Sequence, residues 1–153
     1  MRTLDTKIPA PVVALIIGIL TKWYAYSASI LIDPTPTRMQ IGVGLAQISG
    51  VIALVAMACF WHARTTINPL DPRRASQLVT SGIFRWSRNP MYLSLLLLLV
   101  AYAIRLDSFA VWIGPIAFVA YVTRFQILPE ERVLAEKFGD AYVAYKDRTR
   151  RWI

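Results

Sequence analysis

Two short clusters hold the residues best suited to chemistry: Arg88-Asn89-Pro90-Met91-Tyr92 and the acidic pair Glu130-Glu131. Asn89 followed by Pro90 reads as a helix start. The Asn side chain caps the first turn, and Pro fits the first helical position because its missing N–H would have no partner there. The open N–H groups of that turn, with Arg88 beside them, can receive a carboxylate or a phosphate. The same residues also suit a capped membrane helix with an interfacial arginine. Glu130 and Glu131 follow Pro129 at the start of a helical stripe. There they either stabilise the positive end of the helix dipole, by about 0.3–1 kcal/mol, or bind a polar or cationic ligand at a membrane boundary. Cys59 is the only cysteine and His62 the only histidine, so neither an internal disulfide nor a Cys/His metal set is available, and no metal site is expected.

The elements that must position these clusters are apolar. The chain of 153 residues is 56% hydrophobic, yet it carries 17 Lys+Arg against 9 Asp+Glu for a net charge of +8. Such a charge first suggests nucleic acid. Only 17% of residues are charged and the mean hydropathy is +0.47, which fits apolar blocks separated by short basic ones in an all-α integral membrane protein. Met39 to Trp61 holds no charged residue over 23 positions, enough to cross a hydrocarbon core that needs about 20. Ile8 to Ile32 is interrupted only by Lys22, which sits among Trp23, Tyr24 and Tyr26 as an interfacial lysine would.

Asn89 to Ile104 and Ser108 to Thr123 are uncharged blocks of 16 residues each. At about 1.5 Å per residue each covers roughly 24 Å of a core near 30 Å. Either they thin the membrane or their helices continue through charged ends such as Arg105 and Arg124. The short Arg105-Leu106-Asp107 connection makes them an antiparallel hairpin. About four spans are expected in one membrane domain: two in residues 1–61, then a loop, the hairpin and an amphipathic cytoplasmic helix in 62–153. With both termini in the cytoplasm, fourteen basic residues face inward and only Lys22, Arg38 and Arg105 face outward. Orientation and anionic lipid thus explain the charge without nucleic acid. Trp23, Trp61, Trp112 and Trp152 read as interfacial belts.

The loop from 62 to 89 carries Leu78, Val79, Ile83, Phe84 and Trp86, apolar material with which to fold back on the membrane. After Pro129, Leu134, Phe138, Tyr142 and Tyr145 recur at helical spacing, a stripe for the membrane surface or for that loop. Gly139 within it can kink the helix or permit close packing.

Leu78-Val-Thr-Ser-Gly-Ile-Phe-Arg-Trp-Ser-Arg-Asn-Pro-Met-Tyr92, followed by Glu130-Glu131-x-x-Leu134-x-x-x-Phe138-Gly139-x-x-Tyr142-x-x-Tyr145, resembles the membrane-embedded isoprenylcysteine carboxyl methyltransferase family, to which phosphatidylethanolamine N-methyltransferases are related. The likeness covers roughly residues 62–151, and Thr65-Thr66-Ile67-Asn68-Pro69 is similar to the bacterial branch. It implies S-adenosylmethionine as cofactor, in a cytoplasmic pocket between the hairpin, the preceding loop and the C-terminal helix. By motif position its contacts would be Ser76, Gln77, Leu78, Val79, Phe84, Asn89, Pro90, Met91, Tyr92 and Glu130. Arg88 and the helix start would serve the cofactor carboxylate. Phe84, Met91 and Tyr92 would pack on the adenine or near the sulfonium, whose charge favours aromatic faces. The family's Arg-His-Pro-x-Tyr is Arg88-Asn89-Pro90-Met91-Tyr92 here, so a titrating histidine is not available, and Ser94 stands where a small residue is common. The arginine that precedes the acidic pair in eukaryotic members is replaced by Gln126, with Arg124 close by.

The implied reaction is an in-line methyl transfer to a hydrophobic or lipid-like acceptor entering from the bilayer. A carboxylate acceptor is already ionised, and the protein then supplies alignment and desolvation. An amine must lose a proton, for which Glu130, Glu131 and Tyr92 are the nearby candidates. Arg124 would orient an anionic acceptor. Arg124 and Glu131 are therefore the candidate catalytic residues. Two other classes share parts of this pattern: a nicotinamide-dependent membrane reductase of the same superfamily, and a non-catalytic membrane subunit whose basic loops bind lipid.

Overall fold

The computed structural model describes residues 8–32, 35–63 and 77–153. Ser76 and the Thr65–Pro69 motif lie outside the described residues. Among the described residues six α-helices follow in order: α1 (Ala10–Ser27), α2 (Pro36–His62), α3 (Pro90–Arg105), α4 (Ile113–Val122), α5 (Leu128–Phe138) and α6 (Asp140–Arg148). A 3₁₀ turn at Gly82–Arg85 precedes α3, another at Ala110–Trp112 precedes α4, and a π-helical turn at Thr123–Ile127 joins α4 to α5. Among the described residues the only bridge of β type is isolated, Ile32 with Leu106.

Among the described residues three helical stretches are long and apolar enough to cross a membrane: Ala10–Ser27, Pro36–His62 and Ala110–Phe138, the last of 29 residues. α3 is a shorter apolar helix of 16 residues. The final apolar block thus does not stop at Thr123. Of the two possibilities open for it, the helix takes the continuing one and runs through Arg124 and the acidic pair. Pro129 did not end it, because the chain widens to a π turn over the preceding five residues. That widening accommodates a ring that lacks an N–H and would crowd the carbonyl four residues back.

α2 packs most extensively on α3, and the seam is made of small residues. The buried positions of α2 are Gly42, Ser49 and Ala56, seven residues apart, a spacing that keeps one face on a neighbouring helix. A Cβ at Gly42 would lie 3.0 Å from Arg105 carbons and 3.1 Å from the Ala101 carbonyl. Ser49 Oγ donates to the Ser94 carbonyl at 2.7 Å. α1 crosses α3 and α4 and meets Gly114 through Ile17. Gln126, 1% exposed, donates from Nε2 to the Ile8 carbonyl and so pins the start of α1 to the π turn.

The stripe expected after Pro129 lies on the loop. Leu134, Phe138, Tyr142 and Tyr145 pack with Leu78, Val79, Ile83, Phe84, Met91 and the end of α2. It is carried by two helices rather than one, because Gly139 (φ +50°) takes a backbone conformation that side-chain-bearing residues seldom adopt and ends α5. Gly82 (φ +60°) is required twice over: a Cβ there would also sit 2.7 Å from Cys59 Sγ.

Candidate functional site

The site forms at the end of the bundle where the 3₁₀ turn, the start of α3, the middle of the long last helix and the C-terminal tail converge. The two sequence clusters, about forty residues apart, meet there. Tyr92, one turn into α3, donates its hydroxyl to Glu130 Oε1 at 2.5 Å. Arg88 Nη2 lies 3.1 Å from Glu131 Oε1. Glu130 and Glu131 lie in the first turn of α5, but that turn continues from the π turn without a break, so it offers the pair few open N–H groups. Each carboxylate instead has its own partner across the fold.

Glu131 has a second partner that the sequence motifs did not indicate. Arg151 grips it with two hydrogen bonds, Nε to Oε1 at 3.0 Å and Nη2 to Oε2 at 2.7 Å, the planar fork that arginine offers a carboxylate. The grip holds the Arg151 guanidinium above its ordinary pKa. The tail around Arg151 is tied to the helix start as well. Arg88 N–H donates to the Arg150 carbonyl at 3.0 Å, and the Asn89 side-chain amide donates to the Arg151 carbonyl at 2.9 Å. Asn89 therefore does not cap α3 with its side chain; its amide is committed to the tail, while its own N–H takes Ser87 Oγ at 3.1 Å. Trp152 packs on the core cluster of Tyr92, Phe118, Val122 and Ile127, which corrects its assignment to an interfacial belt. Trp23 and Trp61, 67% and 84% exposed, do stand on the surface.

Arg88 is left with unused capacity. Its side chain is 10% exposed, and Nε and Nη1 are buried without a hydrogen-bond partner. Buried donors of a charged group are costly to leave unmet, and oxygens of an anion would satisfy them. They stand beside the first turn of α3, whose N–H groups have no partner within the helix. Both features suit an anionic group.

Around this polar centre the apolar candidates gather. Leu78, Val79, Phe84 and Met91 share one cluster with Tyr142 and Tyr145, and Phe60 meets the Phe84 ring edge-on at 5.0 Å. Tyr145 donates its hydroxyl to the Phe84 carbonyl at 2.7 Å, which fixes the 3₁₀ turn. Burial, reinforced by the Glu131 charge, pushes the Tyr142 hydroxyl up to about 12, and burial raises that of Tyr145 as well. Pro90 is buried at the start of α3. Gln77 is exposed at the edge of the described loop. Arg124, on the π turn, lies with Glu131 along a cleft of about 560 Å³. Among the described residues no group of His, Cys, Asp and Glu could hold a metal ion.

An all-helical chain with membrane-crossing helices and this centre is matched by the model of the phospholipid methyltransferase family over residues 37–141. The chain belongs to that family and is an integral membrane protein of methyltransferase type. It is also 48% identical over 63 residues to an uncharacterized protein of Haemophilus influenzae, a stretch that is 41% of this chain and 100% of that relative. No solved structure matches the chain.

Proposed function

We propose that this protein transfers a methyl group from S-adenosylmethionine to a hydrophobic acceptor dissolved in the membrane, a carboxylate of isoprenylcysteine type or an amine headgroup. The observation that carries the reading is Arg88, a buried guanidinium with two unmet N–H groups beside the start of α3. The cofactor's sulfonium supplies an electrophilic methyl group when bound. Arg88 and the first turn of α3, from Asn89 to Tyr92, hold the cofactor carboxylate. Glu130, kept in place by Tyr92, receives the amino group or ribose. Leu78, Val79, Phe84 and Met91 shelter the adenine and exclude water, with Ser76 and Gln77 at the edge of that pocket.

In this reading Glu131 is a positioning residue, since both of its oxygens serve Arg88 and Arg151. Arg124 orients an anionic acceptor. With the cofactor bound, these residues would hold the acceptor's nucleophile in line with the electrophilic methyl group and keep water away. A carboxylate acceptor needs no base. An amine would have to lose a proton, for which the Tyr92–Glu130 pair is the nearby candidate. α3 is the fourth span, both termini are cytoplasmic, and the acceptor arrives laterally from the bilayer.

Equilibrium binding of S-adenosylmethionine to the purified full chain tests this. Arg88→Gln is expected to weaken binding by about tenfold or more, the loss of one charge-assisted pairing, and Tyr92→Phe by about threefold to tenfold. Unchanged affinity in both variants would place the pocket elsewhere.

A further inference from the structure

The two faces of α2 treat their polar side chains differently. Ser49, on the face packed against α3, donates to the Ser94 carbonyl at 2.7 Å. Gln47 stands roughly 160° around the helix from Ser49 and is exposed. Among the described residues nothing hydrogen-bonds with its amide. α2 runs from Pro36 to His62, so at about 1.5 Å per residue Gln47 lies roughly 17 Å from one end and roughly 23 Å from the other. That is the middle of the bilayer, where no water reaches it, and a glutamine side chain is too short to extend to either boundary. An amide left bare in hydrocarbon is costly, and another helix that offers a hydrogen bond relieves the cost. The surface beside Gln47 admits such a helix. Gly44 and Gly50 flank it, and an added Cβ at either would meet nothing within 4 Å.

We propose that α2 pairs with the α2 of a second copy of this chain, Gln47 against Gln47, in a two-fold dimer within the membrane. Two features select a second copy over a different protein. An amide carries both donor and acceptor, so two Gln47 side chains satisfy each other, each Nε2 donating to the other's Oε1. Copies inserted with the same sidedness are related by an axis along the membrane normal, which brings each residue at the crossing opposite its own equivalent. Gly44 and Gly50 let the two backbones approach, as small residues do at right-handed crossings of about 40°. Helices that cross at such an angle soon part, so Leu54 stays in lipid. The contact lies on the side of α2 away from α3, and it does not depend on the methyl-transfer reading.

Copies of the full chain carrying donor and acceptor dyes at the N-terminus are mixed in phosphatidylcholine vesicles, and energy transfer is followed as lipid is added. The wild type is expected to keep transfer above the chance level to dilutions about tenfold greater than Gln47→Leu does, the effect of two interhelical hydrogen bonds. Gln47→Asn, which keeps the amide, should stay closer to the wild type. Gln47→Leu should retain the wild-type helical circular dichroism, since the side chain lies outside the packed interior. In a Cys59→Ala background, Val43→Cys, one turn before Gln47, should cross-link between copies on oxidation. Leu15→Cys, on the 63% exposed position of α1, should not. Chance-level transfer in the wild type at every dilution would overturn the dimer and leave the amide to a different membrane protein. Equal dilution curves for the wild type and Gln47→Leu would overturn the assignment to this face, and so would equal cross-linking at the two cysteine positions.

Discussion

α2 and the C-terminal arm from Leu128 to Ile153 hold their places by opposite means. α2 is apolar around most of its surface, and only 11% of its membrane-spanning window is buried within the protein. Leu54 and Val51 are 64% and 59% exposed, facing where lipid would lie. What fixes α2 on α3 is fit: Gly42, Ser49 and Ala56 let the backbones approach, and van der Waals contact does the rest. The arm around Glu131 depends on named polar partners instead, with Arg88, Arg151, Asn89 and Tyr92 each engaged across the fold. Lipid can substitute for a missing neighbour along α2. Nothing can substitute for Glu131, because water is largely excluded from it and two cations depend on one carboxylate.

The sharpest way to break that contrast is Glu131→Gln. It would leave Arg88 and Arg151 facing each other with no counter-charge, and breaking a buried pair costs about 3–5 kcal/mol. Arg151 is about one-third exposed, so solvent screens part of that loss and about 2–3 kcal/mol is expected. Thermal unfolding in micelles would show the change, accompanied by weakened cofactor binding. An equal effect from the lipid-facing Leu54→Ala would erase the distinction between the two regions.

That difference also decides what could be read from the sequence. The apolar blocks and the tight turn at Leu106 were legible because hydropathy is local, while a shared pocket for Arg88 and the acidic pair was legible only through the family resemblance of the two motifs. The clamp on Glu131 was not. Arg151 sits in a basic tail after the last periodic residue, where charge alone reads as a solvated or lipid-facing end; only the spare acid across the fold could have pointed to it. Asn89 before Pro90 has the pattern of a cap, yet the Arg151 carbonyl, 62 residues further along the chain, competed for the same amide and won it. Trp152 carries the same lesson, since an aromatic near a membrane terminus looks interfacial until its packing partners on α3 and α4 are known. The run-on of the last helix through Pro129 was hidden because a π turn leaves no compositional mark.

A smaller effect sharpens the α2 side of the contrast. Gly42→Leu inserts a side chain where even a Cβ would meet the Ala101 carbonyl at 3.1 Å, so the seam must open, at a cost of about 1–3 kcal/mol. Leu54→Ala on the lipid side of the same helix should change stability by less than about 0.5 kcal/mol. Unfolding measured for both variants in the same lipid separates fit from mere hydrophobicity, and similar values would show that α2 is held by hydrophobicity alone.

The smallest effect concerns Tyr142 and appears only in alkali. Its hydroxyl ionises at about 12 in the folded protein against an ordinary value of 10.0, burial being the main cause and the Glu131 charge the next. A group whose folded pKa is raised favours the folded state while it remains protonated. The contribution is therefore fully present below pH 10 and is lost as the pH climbs toward 12. At neutral pH Tyr142→Phe should leave stability almost unchanged, since the ring still packs with Tyr145 and Phe84. Between pH 10 and 12 the wild type should lose stability faster than the variant, and the ultraviolet titration of tyrosinate should lose one late step in Tyr142→Phe. Adding Glu131→Gln to the wild type should bring that step to lower pH, because the carboxylate that discourages the phenolate is gone. An unmoved step would mean that burial alone sets it, and that the charge on Glu131 is felt only by its two arginines.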